Sequence, residues 1–219
     1  MTDQAAADLW PIEHPGTHPG AHAGVHAGER PEAARRLLLA AVDSFARRGY
    51  HATTTRDIAT AAGMSPAALY IHYPSKAALL SEISRTGHQA TLDLVENAAH
   101  TDGDPVDRMR RLVEDFTSWH ARGHTVGRIV NHELLALPEE DFAVVAELRR
   151  RIEETVRRLI DEGVAAGSFD VPDVRTAARA VTSLGIDVAR WYSERSSESP
   201  EELGRRYGVL VLRMLGASG

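Results

Sequence analysis

Three features of this 219-residue chain predict an all-α fold. Apolar residues recur at helical spacing in one segment after another. No segment sustains the two-residue alternation of a strand. Ser, Thr, Asp and Pro stand at the points where helices would open. The pattern yields about nine helices in two unequal groups.

The first helix is expected over 32–48, with Leu38, Val42 and Phe45 as its apolar stripe. The second opens at Thr54 or Thr55, whose hydroxyl can take an otherwise orphaned backbone N–H. Ile58, Ala59 and Ala62 form its apolar face, and Gly63 stands where the chain must leave the helix. Ser65-Pro66 starts the third, with Ser as N-cap and Pro at the first helical position, where its missing N–H costs nothing. Ser75 caps a long fourth helix to about Ala99, and TDGDP at 101–105 is a turn. The next helix, over 107–122, carries Met109, Leu112, Val113, Phe116 and Trp119 at helical spacing. A shorter one spans about 126–137 and stops before Pro138. A strongly amphipathic helix over 141–166 ends at Gly167. Pro172-Asp173 starts another to about Ser193, and Pro200 starts the last, to about Leu215.

Two short helices joined by a tight turn, over Thr53 to Lys76, have the form of a helix-turn-helix, which lays its second helix in the DNA major groove. The net charge of −6 argues against a nucleic-acid partner only until it is divided along the chain. Residues 1–29 hold four acids and no Lys or Arg, 30–90 are net +4, and 91–219 are net −6. Positive charge thus sits on the segment that would meet phosphates. The absence of Cys excludes disulfides and Cys-based metal sites and fits a reducing cytoplasm. No run approaches the roughly 18 apolar residues of a membrane helix, and no secretory signal pattern opens the chain.

The run TTTRDIATAAGMSPAALYIHYPSKAALL, over 53–80, resembles the DNA-binding region of the tetracycline-repressor (TetR) family. Thr53-Thr54, Arg56-Asp57-Ile58-Ala59, Ala62-Gly63, Leu69-Tyr70, His72-Tyr73, Lys76 and Leu79-Leu80 carry the match. The upstream segment ARRLLLAAVDSFARRGYHATT, with Phe45, Gly49 and Tyr50, is similar to that family's first helix. The resemblance implies a three-helix DNA-binding domain with a helix-turn-helix, followed by a larger helical ligand-binding and dimerisation domain. The implied boundaries are a His/Pro/Gly-rich disordered tail over 1–30, the DNA-binding domain over 31–77 and the receptor domain over 78–219. The partners implied are a double-stranded DNA operator, a second copy of the chain and a small-molecule effector, with no membrane and no cofactor.

Carried over by position, Thr55 and Arg56 would touch phosphates, and a helix N-terminus beside a guanidinium suits that task. Ser65, Pro66, Ala67 and Ala68 occupy positions that face base edges. Tyr70, His72 and Tyr73 sit where the family contacts backbone or flanking bases, and Lys76 where it grips phosphate. Thr55 also reads as a simple cap, and Leu69 as core. Pro66-Ala67-Ala68 departs from direct readout, because it offers no bidentate side chain to guanine or adenine. Specificity then falls to Ser65, thymine-methyl contact, His72, the Arg56 region and DNA shape.

Other chemistries fare less well. His14, His18, His22 and His26 recur every four residues, a spacing that would stack imidazoles on one helix face for a metal. The intervening Pro and Gly oppose that helix, so the tail reads as disordered, with a metal-responsive regulator as the alternative. HELLA at 132–136 lacks the second imidazole of a zinc-protease motif, since position 136 is Ala136. His120 and His124 lie four apart and read as structural or pocket-lining. No nucleophile elbow or Gly-rich phosphate loop appears, which leaves a small helical enzyme without a catalytic motif. Arg149-Arg150-Arg151 and Arg157-Arg158, interleaved with Glu147, Glu153, Glu154, Asp161 and Glu162, read as a solvated, salt-bridged helix face.

The segment Asp187-Val188-Ala189-Arg190-Trp191-Tyr192 is similar to the R-W-Y segment of TetR-type regulators of fatty-acid and steroid catabolism, several of which respond to acyl-CoA thioesters. It implies an acyl-CoA or related lipophilic acid as effector. Phe116, Trp119, His120, Arg190 and Trp191 are the expected ligand-binding residues, each with a plainer reading as core, interface or ion pair. The overall expectation is a homodimeric, ligand-responsive cytoplasmic repressor that is not an enzyme, with a ligand-dependent activator as the variant of opposite sign.

Overall fold

The computed structural model describes residues 32–217, so the four tail histidines and their possible metal lie outside the described residues. Among the described residues there are nine α-helices and no strand. They are α1 (Glu32–Arg48), α2 (Thr55–Ala61), α3 (Pro66–His72), α4 (Lys76–His100), α5 (Pro105–Arg122), α6 (His124–His132), α7 (Glu139–Ala165), α8 (Val174–Trp191) and α9 (Pro200–Met214). The all-α expectation holds, and seven of the nine helices start or end within about two residues of their sequence estimate at both ends. The sixth differs most. It ends at His132, and a 3-10 turn, Leu134–Ala136, continues to Pro138 in place of regular helix.

The chain divides into two compact units. The first comprises residues up to Gly87 together with Ile129–Phe142; the second comprises His88–Arg128 and Ala143–Gly219. The return segment belongs to the first unit through specific contacts. Ser81 donates a 2.6 Å hydrogen bond to Asp141, and His51 lies 3.5 Å from the Glu133 carboxylate.

Capping explains the short helices of the first unit. The Thr54 hydroxyl accepts from the Asp57 amide while Asp57 accepts the Thr54 amide at 2.9 Å, a reciprocal box that satisfies two donors at the start of α2. Gly63 leaves α2 at φ +66°, a left-handed conformation that would strain a residue with a Cβ. Arg36 of α1 reaches across to the Ala62 carbonyl at 2.5 Å, tying down the end of α2. Ser65 caps α3 by accepting the Ala68 amide at 3.2 Å. Leu37, Leu38, Phe45, Ile58, Leu69, Leu79 and Leu80 are buried beneath these elements. Hydrophobic burial, at about 25 cal/mol per Å² of apolar surface, is what holds helices this short in place, since isolated helices of such length are marginal in water.

The second unit is built on α5. This helix packs most extensively on α9 and also on α8. Contact with α9 is close because Gly204 presents bare backbone; a Cβ there would lie 2.6 Å from the Glu114 carbonyl oxygen. Leu92, Met109, Leu112, Phe116, Val156, Leu159, Ile160, Val181 and Val211 form one continuous buried cluster.

Candidate functional site

In the first unit, α2, the turn and α3 present a contiguous set of the sequence-predicted residues. Arg56, Ser65, Pro66, Ala67 and Tyr70 are exposed, and Thr55, Ala68, His72 and Lys76 are half-buried. The Thr55 hydroxyl and the Tyr70 hydroxyl are 3.0 Å apart, so the N-terminus of α2 and the outer face of α3 share one polar edge. An Arg48–Asp57 ion pair at 3.1 Å ties the end of α1 to the opening of α2. Hydrogen bonding to Thr54, helped by Arg48, holds the Asp57 carboxyl below its usual pKa. The carboxylate therefore stays charged and occupied on its own cap.

Two residues are placed differently from a simple surface contact. Tyr73 is buried, only 8% exposed, with its hydroxyl 3.5 Å from the Ala34 carbonyl. Its ring supports α3 from behind, because the C-cap position turns it inward against α1. Lys76 donates to the Tyr50 carbonyl at 2.7 Å and the His51 carbonyl at 3.3 Å, with its ammonium 4.3 Å from the Tyr50 ring centre. It clamps the 50–51 loop, which leaves one of its three N–H groups for an outside acceptor. Ile71, at 80% exposure, was not anticipated from the sequence. Its position two residues after the core Leu69, about 200° round the helix, marks it as outward-facing.

The second unit gathers some of the expected ligand residues and separates others. Phe116 is buried, and its ring centre lies 4.4 Å from that of His120. His120 donates through Nδ1 to the Phe116 carbonyl at 2.8 Å, since a carbonyl can only accept. Burial depresses the imidazole pKa to about 4, and the neighbouring His88 and Arg149 add to the depression. Trp119 donates from its indole N–H to the Thr91 hydroxyl at 3.0 Å. Arg190 and Trp191 lie apart from this group. Arg190 is bound bidentately by Asp187 at 2.6 and 2.9 Å on the outer surface, and Trp191 is 44% exposed beside the Tyr192 ring. The acidic neighbour one turn back thus occupies Arg190, and its charge keeps it outside.

The arginine cluster of α7 also needs correction. Arg150 pairs with Glu147 at 2.7 Å and Arg151 with Glu96 at 2.9 Å, as a solvated face requires. Arg149 instead turns inward to a 3.5 Å contact with the His88 imidazole, and burial lowers its pKa. The sequence pattern hides this because adjacent arginines point 100° apart on a helix. In HELLA, His132 ends α6 and Glu133 faces His51. Among the described residues, no three His, Cys, Asp or Glu side chains gather as metal ligands, and no helix is long and apolar enough to cross a membrane.

Fold and site together define a helix-turn-helix protein with a separate helical second unit. Comparison with known proteins agrees. The model of bacterial regulatory proteins of the tetR family matches residues 37–83, and that of the tetracyclin repressor-like C-terminal domain matches residues 102–215. The HTH-type transcriptional repressor KstR2 of Mycolicibacterium smegmatis is 31% identical over 191 residues, covering 82% of this chain and 90% of that protein. A solved tetR-family regulatory protein from Rhodococcus RHA1 is 40% identical with a TM-score of 0.82, over 87% of this chain and 100% of that one. AibR, solved with isovaleryl coenzyme A and operator DNA, shares the fold at a TM-score of 0.73 and 22% identity, over 84% of this chain and 98% of that one. The chain belongs to the TetR family of transcriptional regulators.

Proposed function

We propose that the chain is a cytoplasmic, homodimeric repressor that leaves its operator when an acyl-CoA-like or lipophilic acid effector binds. The observation that carries this reading is the exposed polar edge of α2 and α3, joined by the Thr55–Tyr70 contact, on the one net-positive stretch of the chain. Residues 31–77 act as the DNA-binding domain and 78–219 as the receptor. Two copies of α3 enter successive major grooves about 34–36 Å apart on a pseudo-palindromic site. Thr55, Arg56 and Lys76 meet phosphates. Ser65, Pro66, Ala67, Ala68, Tyr70 and His72 face bases or flanking backbone, with Ile71 available to thymine methyls.

The repressor direction is supported by the name borne by KstR2 at 31% identity, and the effector class by the isovaleryl coenzyme A bound in AibR. Effector acts by favouring a dimer whose α3 spacing no longer fits the operator. Its own preference for that shape supplies the coupling, typically about 1–3 kcal/mol. The continuous helix α4, which has residues in both units, is the lever.

Selection from a pool of genomic fragments, followed by gel-shift titration, tests the reading. One preferred pseudo-palindrome is expected, and Arg56→Ala should weaken binding while lowering the salt slope by about one phosphate. Retention of no fragment above random sequence would overturn it.

A further inference from the structure

We infer that Ala67 and Ile71 of α3 form an apolar stripe that reads the 5-methyl group of a pyrimidine in the operator, so that 5-methylcytosine can stand in there for thymine. This deepens the regulator reading above and rests on it for the operator. At about 100° per residue, Ala67 and Ile71 each lie about 200° round the helix from the buried Leu69 and only about 40° from each other. They are the centre of the outward face, and both are exposed, Ile71 by 80%. The hydroxyls to either side already hold structure. Ser65 accepts the Ala68 amide at 3.2 Å, and the Tyr70 hydroxyl meets that of Thr55 at 3.0 Å. The side chains of Pro66 and Ala68 carry no donor or acceptor. A lone exposed apolar side chain calls for no explanation. This one is paired with a second apolar position one turn away, on the second helix of the helix-turn-helix and on the net-positive stretch of the chain.

Every base edge in the major groove carries hydrogen-bonding groups, and thymine alone of the four bases adds an apolar one, its C5 methyl. An apolar stripe laid on the N7 and O6 of guanine, or on the amino group of cytosine or adenine, strips their water and returns no hydrogen bond. Laid on a methyl, the same stripe takes apolar surface of both partners out of water, which is favourable. Ile71 supplies the contact surface, and the small Ala67 one turn earlier lets the helix come close to the base edge. The stripe therefore discriminates by what a pyrimidine presents at C5 and not by its Watson–Crick partner. Cytosine methylated at C5 presents the same methyl at the same ring position. A site with cytosine facing Ile71 thus gains affinity when that cytosine is methylated.

Gel-shift titration of the full-length protein on synthetic duplexes of the pseudo-palindrome that genomic-fragment selection returns tests this. Each thymine is replaced in turn by deoxyuridine, which removes the methyl and keeps every hydrogen-bonding group. At one or two positions the loss should be about three- to fourfold per half-site, and about tenfold with both half-sites changed. Cytosine and 5-methylcytosine, each opposite guanine, are then placed at the sensitive position, and the methylated base should bind at least about threefold more tightly. Ile71→Ala should reduce both methyl effects to below about twofold, and Ile71→Val should keep most of each. A thermal melt accompanies the variants; if Ile71→Ala is unfolded, Ile71→Ser replaces it. An operator indifferent to uracil at every position overturns the inference and leaves the regulator reading standing. So does 5-methylcytosine that binds no better than cytosine, or a methyl effect of full size without the isoleucine. Retention of no fragment above random sequence sinks the regulator reading, and this inference with it.

Discussion

Burial keeps the His120 imidazole neutral in the folded chain, with a pKa of about 4 against 6.5 when free, and this ties stability to pH. Between those values the unfolded chain binds a proton that the native chain refuses, so stability rises with pH across the window. The contribution is fully present above 6.5 and is lost as pH falls toward about 4; it amounts to about 3 kcal/mol at most. Replacing His120 with Gln removes it. The difference between wild-type and His120→Gln denaturation midpoints should therefore change steadily between pH 6.5 and 4.5 and stay flat above pH 7. A second residue-level expectation concerns Thr54, whose hydroxyl accepts the Asp57 amide in the capping box of α2. Thr54→Ala should cost about 1 kcal/mol in urea denaturation, and Thr54→Ser almost nothing.

At the scale of elements, the separation of α5 from α9 is set by Gly204. A Cβ there meets the Ser118 hydroxyl and the Glu114 carbonyl, and the latter is backbone that cannot rotate away. Gly204→Ala must push the two helices apart and should destabilise the protein by about 1–3 kcal/mol, read as a lower melting temperature. A neutral melt would mean that α9 can slide without loss of packing. The recognition element behaves differently. Helix α3 has one fully buried large side chain, Leu69, and spends its outer face on Ser65, Pro66, Ala67, Tyr70 and Ile71. Its orientation thus depends on Tyr73 and Lys76 working from behind, through the contacts to Ala34, Tyr50 and His51. In the proposed mechanism, both residues act on DNA binding through placement of α3 as well as through any contact of their own.

Across the whole molecule, charge and apolar surface divide the labour. The acidic remainder of the chain repels DNA and leaves the net-positive segment over 30–90 to meet it. Helix α9 leaves Val209, Leu210 and Met214 at least 40% exposed in the single chain, with Trp191 near the end of α8. Apolar groups placed a helical turn apart on an outer face mark an association surface, and a second copy of the chain is the partner the proposed mechanism needs. Leu210→Asp should convert the dimer to monomer in light scattering and, by removing the paired α3 helices, weaken operator binding by at least about tenfold. A variant that remains dimeric would place the seam elsewhere.

Helix positions, apart from the end of α6, the caps and the helix-turn-helix were legible in the sequence, because they depend on spacing and on local hydrogen bonds. Thr54, Gly63, Ser65-Pro66 and Ser75 each act within a turn of themselves, and each stands in the structure where local chemistry demands. What lay beyond the sequence was which way a polar side chain turns once distant helices pack. Arg149 is chemically the same as Arg150 and Arg151, yet only Arg149 meets an interior imidazole, from a helix some sixty residues earlier. Tyr73 went inward and Ile71 outward for the same reason: the rotation of a short helix is decided by the surface it packs on. Local propensity therefore determined the elements, while long-range packing alone decided which charges were buried and which were left for solvent, DNA or ligand.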